Sequence, residues 1–159
     1  MDNDSLVKKA MKGNANAFVE VIKNYEKVLY KTAYGFLKDP HDIEDVLQDT
    51  TLIAYESIGK LRDPKLFNTW VYRILVNESK KMLKERRQRE QVVYQGKEEK
   101  GSSIHNVIIE LDEKYKLPIV LYYYAGLSTR EISTVLSESE GTVKSKLYRG
   151  RELIRKEWM

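Results

Sequence analysis

Three groups of side chains in this sequence have the types and spacing to bind charged or aromatic chemistry. In "PHDIEDVLQDTT", Asp42, Asp45 and Asp49 recur at i, i+3 and i+7 with Glu44 and Gln48 beside them, so a helix here carries an anionic face. In "FNTWVYRILVNESKKMLKERR", Arg73, Asn77, Lys80 and Lys84 fall within about 60° on a helical wheel, next to Trp70. Phe67, Val71, Ile74 and Leu75 spread over the other side. In "SESEGTVKSKLYRGRELIRK", Val143, Leu147, Gly150 and Ile154 form one stripe, and Gly141, Lys144, Ser145, Tyr148 and Arg149 lie opposite.

Each group has a structural reading beside its functional one. First-turn acids favour a helix dipole without any further role. The same carboxylates could bind a divalent cation, but hard cations want ligands from more than one element, and no second acidic cluster is apparent. They could also form a docking face for a basic partner. The basic stripe is either a solvated face or a track for single-stranded nucleic acid, whose backbone meets cations and whose bases stack on aromatics. In the third group Lys144 and Arg149 suit phosphates or guanine, Ser145 a base edge or phosphate, and Tyr148 a thymine methyl. Gly141 removes a side chain where backbone must come close. No phosphate-cradling glycine loop, nucleophile elbow or Ser-His-acid set appears, which argues against an enzyme.

The elements that must position these groups read as helices throughout. Apolar residues recur at three and four, and only three prolines and eight glycines interrupt them. Asp4 or Ser5 can open a short helix that ends at Gly13, and a long amphipathic helix follows to about Leu37. Asp39 and Pro40 open the acidic helix, Gly59 stops it, and Asp63 with Pro64 opens the basic one. From Gln91 to His105 periodicity gives way to Gly, Ser and balanced charge, the composition of a linker. Beyond it lie one or two helices, with Pro118 inside the second or at its start. A capping box, Ser128 with Glu131, then starts a helix to Leu136; a turn at Ser137 and Glu138 and a helix capped by Ser139 complete a helix-turn-helix. The expected organisation is all-α, with an N-terminal helical domain over 1–90, a flexible linker over 91–105 and a helix-turn-helix domain over 106–159.

Composition fits that outline. The 159 residues, 42% of them apolar, suffice for two small helical cores, and a net charge of +4 says little by itself about partners. The absence of cysteine excludes disulfides and thiolate metal sites, and no apolar run approaches the roughly 20 residues of a membrane span. The chain reads as soluble and intracellular.

In this order, "HDIEDVLQDTTLIAY", "FNTWVYRILVNESKKMLKERR" and "LSTREISTVLSESEGTVKSKLYRGRELI" resemble the extracytoplasmic function (ECF) sigma factors, two-domain promoter-recognition subunits of bacterial RNA polymerase. The likeness runs from about Phe18 to Arg155. It implies that Asp42, Glu44, Asp45, Gln48 and Asp49 dock on the polymerase clamp, in the beta-prime subunit. It implies that Trp70, Arg73 and Asn77, with the loop that runs from Lys60 through Arg62 to Phe67, melt and read the downstream (−10) element, and Lys80 and Lys84 extend that face. Lys144, Ser145, Tyr148 and Arg149, with Glu140 and Thr142 at the helix entrance, would read the upstream (−35) element. Core RNA polymerase, including its beta flap, promoter DNA in duplex and single-stranded form, and an anti-sigma protein are the implied partners; no cofactor or metal is implied, and the place of action is the bacterial cytoplasm. Three positions depart from the common pattern: Ile43, Thr51 and Glu138. The competing hypotheses are a free-standing helix-turn-helix regulator that binds duplex operators, and an all-α metal-dependent hydrolase built on Asp42, Asp45 and Asp49.

Overall fold

Helix ends in this chain fall where a side chain can take up backbone groups left without a partner. The computed structural model describes residues 2–90 and 103–158, and every regular element among them is helical. In chain order these are α1 (Asn3–Met11), α2 (Ala15–Phe36), α3 (Pro40–Ser57), α4 (Phe67–Glu90), α5 (Ile104–Ile109), α6 (Glu113–Tyr123), α7 (Thr129–Leu136) and α8 (Glu140–Trp158). Asp2, not Asp4 or Ser5, caps α1, its carboxylate accepting from the Ser5 N–H at 2.8 Å. Asn14 caps α2 and Asp39 caps α3, with Pro40 in the first turn as expected. Asp63 and Pro64 do not open α4 directly. They start a 3₁₀ turn, Pro64–Leu66, whose tighter winding re-aims the chain before α4 begins at Phe67.

The segment after Leu111 resolves into a helix with Pro118 inside it. The expected linker is shorter at its C-terminal end, because Ser103 caps α5 and His105 already lies in that helix; its remainder, 91–102, lies outside the described residues. The capping box at Ser128 forms reciprocally: Ser128 Oγ accepts from the Glu131 N–H at 3.1 Å, and Glu131 Oε1 accepts from the Ser128 N–H at 3.0 Å. Ser137, at φ 55°, takes the left-handed conformation that lets the chain reverse between α7 and α8.

Helices α1 to α4 bury Val7, Val21, Phe36, Val71 and Leu75, and α5 to α8 bury Ile119, Leu121, Ile132, Val143 and Leu147. The two sets of buried side chains meet in one continuous interior. At the meeting, Lys116 is only 6% exposed; its Nζ donates to the Phe36 and Ile109 carbonyls at 3.2 Å each, closing the C-terminal end of α2 from across the fold. Desolvation lowers the Lys116 pKa from its ordinary value.

Candidate nucleic-acid interface

Helix α8 is built as its pattern demands. Val143, Leu147 and Gly150 are buried and Ile154 packs against the core, while Gly141, Lys144, Ser145, Tyr148 and Arg149 are exposed. Ser139 Oγ accepts from the Thr142 N–H at 3.1 Å and donates to Thr142 Oγ1 at 2.8 Å, so the helix entrance is fixed before anything binds. Glu140 accepts from Thr129 Oγ1 at 2.9 Å, tying the start of α8 to that of α7. Arg149 donates to Glu152 at 3.2 Å, and Lys144 lies 3.8 Å from Glu140, so both cations are solvated side chains with weak local restraints. Tyr148, 65% exposed, has its hydroxyl pKa raised by the Glu152 carboxylate and stays neutral, able to donate. The departure at Glu138 has a local partner: its carboxylate meets Lys146 at 2.8 Å, and Ser133 Oγ donates to its carbonyl at 2.5 Å. A charged residue therefore holds the turn without an apolar plug.

The acidic face is narrower than its helical wheel. Glu44, Asp45, Gln48 and Asp49 are exposed on α3, but Asp42 is 6% exposed and turned to α4. Arg86 grips it in a fork, Nε to Oδ2 at 2.5 Å and Nη2 to Oδ1 at 2.9 Å, and the same Nη2 reaches Asp39 Oδ2 at 2.7 Å. The His41 N–H and the Arg86 guanidinium together hold the Asp39 carboxyl below its ordinary range, and the two acids push the arginine's pKa still higher. Asp42 is thus committed inside the fold, a correction to its expected place on a docking surface. Ile43 is buried at 2% exposure, and Thr51 donates to the Leu47 carbonyl at 2.9 Å, so two of the three departures are absorbed by local packing. No group of three potential metal ligands converges among the described residues.

On α4, Arg73, Asn77, Lys80 and Lys84 form the exposed cationic row, with Trp70 half-buried at its head. Phe67 does not join it. The 3₁₀ turn sends that ring fully inward, edge-on to Tyr25 at 5.2 Å and beside Trp70 at 5.7 Å, so it supports the tryptophan and cannot touch a strand. Lys60, Arg62, Leu66, Thr69, Trp70 and Arg73 line a cleft of about 320 Å³ on this face.

Sigma-70 region 2 matches residues 21–89 and Sigma-70, region 4 matches residues 102–154, and together they take in all three faces. The chain belongs to the ECF sigma factors. The ECF RNA polymerase sigma factor SigW of Bacillus subtilis is 29% identical to it across 95% of this chain and 94% of that protein. The RNA polymerase sigma-H factor of Pseudomonas aeruginosa is 27% identical across 97% and 92%. Its fold is that of CnrH, solved with the cytosolic domain of CnrY, at TM-score 0.79 and 24% identity over 97% of this chain and 95% of that one. It is also that of the sigma factor RpoE of Bartonella quintana, solved with the anti-sigma factor NepR, at TM-score 0.73 and 20% identity over 87% and 94%.

Two residues of this sigma factor were not anticipated from its sequence. Arg86 reads as one more cation in a basic tail, and Asn68 as a neutral first-turn residue. Asn68 Oδ1 accepts from the Tyr25 hydroxyl at 3.1 Å, and its amide donates to Glu131 at 3.1 Å. The only sequence signal for either would have been a partner more than forty positions away. None of the sigma factor's described helices is long and apolar enough to cross a membrane.

Proposed function

We propose that this sigma factor binds core RNA polymerase through the exposed acids of α3, reads the −35 element with α8, and opens and holds the −10 element along α4. Glu44, Asp45, Gln48 and Asp49 meet the clamp of the beta-prime subunit. Lys144, Ser145, Tyr148 and Arg149 enter the major groove of the −35 element, with Glu140 and Thr142 at the rim, and the helix-turn-helix half also meets the beta flap. Trp70, Arg73, Asn77, Lys80 and Lys84 track the melted strand, and the cleft between Lys60, Arg62 and Trp70 receives a flipped base. Phe67 buttresses Trp70, and Asp42 with Arg86 fixes α3 against α4. The chain supplies no catalytic chemistry of its own, acts in the bacterial cytoplasm, and is held inactive by an anti-sigma protein.

The observation that carries this reading is the separation of charge: one exposed acidic face and two cationic faces on helices whose opposite sides are core. A magnitude adds the need for polymerase. Opening around ten stacked steps at roughly 1.4 kcal/mol each exceeds ten kcal/mol, whereas a good base contact supplies about one to three. Polymerase supplies the remaining surface and fixes the spacing of the two halves. Run-off transcription with core polymerase on a promoter library tests it. Promoter-dependent RNA is expected with wild type and its loss with charge reversal at Asp45 and Asp49. Transcripts no different from those of core alone would refute it.

A further inference from the structure

The outer face of α8 continues sideways onto α6. Arg151 lies seven residues after Lys144 and three after Tyr148, on the edge of that face nearest α6. Its guanidinium sits over two exposed tyrosine rings of α6, 5.4 Å from the Tyr122 centroid and 5.6 Å from that of Tyr123. The two rings meet edge to face at 4.9 Å, and Arg151 Nε donates to the Tyr123 hydroxyl at 2.7 Å.

One side of the guanidinium is thereby committed to the fold. Among the described residues its terminal Nη groups have no acceptor, and no carboxylate bonds Tyr122, Tyr123 or Arg151. Lys144 and Arg149 differ, since their partners are the acids Glu140 and Glu152 of α8 itself. The cluster presents donors alone, two Nη groups and two hydroxyls on an aromatic base, which is the donor set of a phosphate site. A helix roughly 10–12 Å across fills a major groove about 12 Å wide, so its flanks face the phosphates while its outermost residues face the bases. Arg151 is on a flank.

We propose that Arg151, held by Tyr122 and Tyr123 of α6, is a fixed phosphate anchor that binds one backbone phosphate beside the −35 element and sets the register of α8 in the groove. This rests on the reading of α8 as the −35 helix, and it brings to the promoter a helix outside the helix-turn-helix. Ordering a long side chain is a large part of what an arginine contact costs, and here the tyrosines have already ordered it. A phosphate contact carries no sequence information by itself, yet it decides which base pair each residue of α8 meets. An acidic protein partner would suit the same donors; their continuity with Lys144 and Tyr148 favours DNA.

The test uses holoenzyme reconstituted from core polymerase and the full chain, on promoter duplexes carrying single ethylated phosphates across the −35 region. With wild type, ethylation of the anchored phosphate should weaken binding. With Arg151→Gln that one position should no longer matter, while binding to every promoter falls about tenfold and the slope of log affinity against log salt drops by about one. Arg151→Lys should recover little, since one ammonium cannot bond Tyr123 and keep a fork for the phosphate. Tyr123→Phe keeps the ring and removes the acceptor, so it should show part of the loss with an unchanged thermal midpoint, which guards against a folding defect in the arginine variants. An unchanged ethylation pattern and salt slope in Arg151→Gln overturns the anchor, and Tyr123→Phe binding like wild type overturns its positioning by α6. Weaker binding of Arg151→Gln to core polymerase without DNA gives the donors to a protein partner and also overturns the proposal. Arg149→Ala on the same promoters decides the α8 reading separately: relaxed preference at one base pair retains it, and unchanged preference refutes it.

Discussion

Asp42 shows how far a single residue can depart from its helical wheel. On α3 it shares a stripe with Asp45 and Asp49, yet it is buried because the far end of α4 crosses there and Arg86 takes both its oxygens. Periodicity tells which residues share a face; it does not tell where along that face a neighbouring helix ends. The exposed acids were legible for that reason and Asp42 was not. Phe67 differs: its wheel position opposite the basic stripe already pointed to the interior it occupies, and only the family resemblance set it among the strand contacts. Since Arg86 also holds the cap residue Asp39, its replacement loosens α3 and α4 together. Arg86→Ala should cost about 2 kcal/mol, the order of a charged hydrogen-bonded pair half open to solvent, as a lowered urea midpoint. Arg86→Lys should recover little of it, because one ammonium cannot make the fork.

At the scale of elements, most boundaries were legible, because the residues that end helices do so by local chemistry. Asp39 with Pro40, the Ser128 and Glu131 box, and Ser139 all act where expected. The start of α1 was not, since Asp2, Asp4 and Ser5 are all competent caps and only packing of Leu6 and Val7 chooses among them. Helix α8 carries both of its predicted stripes, and they can be tested independently. Gly150 sits where α8 crosses α6, and an added Cβ would lie 2.9 Å from Ile119 Cγ1. Gly150→Ala should destabilise the helix-turn-helix half by about 1–3 kcal/mol through overpacking, seen as a lower thermal midpoint. Arg149→Ala on the outer stripe should leave that midpoint alone and cost about 1–3 kcal/mol of discrimination at one base pair, whereas Lys144→Ala should weaken all promoters alike and flatten the salt dependence. Competition binding of holoenzyme to promoter variants at two salt concentrations separates the two.

The relation between the halves was the least legible feature. A glycine inside α2 reads from sequence only as a local helix penalty, and its use becomes apparent when Val120 and Tyr124 arrive from more than eighty residues away. His105, expected in the linker, instead stacks on Tyr34 of α2, with its Nδ1 2.8 Å from the Tyr124 hydroxyl. Burial disfavours its charged form and lowers its pKa below the ordinary 6.5. The folded chain consequently binds fewer protons at this site than the unfolded one, in which His105 faces water. Above the ordinary value both states are neutral there and the contribution to stability is at full strength; as pH falls through 6.5 toward the lowered value, the unfolded chain's imidazole protonates first and that contribution weakens. The urea midpoint of the chain should therefore fall on acidification from about pH 7.5 to about pH 5.5. His105→Phe keeps a ring against Tyr34 and removes the titrating nitrogen, so its midpoint should fall less across that interval; an equal acid response in both proteins would assign the dependence to carboxylates elsewhere.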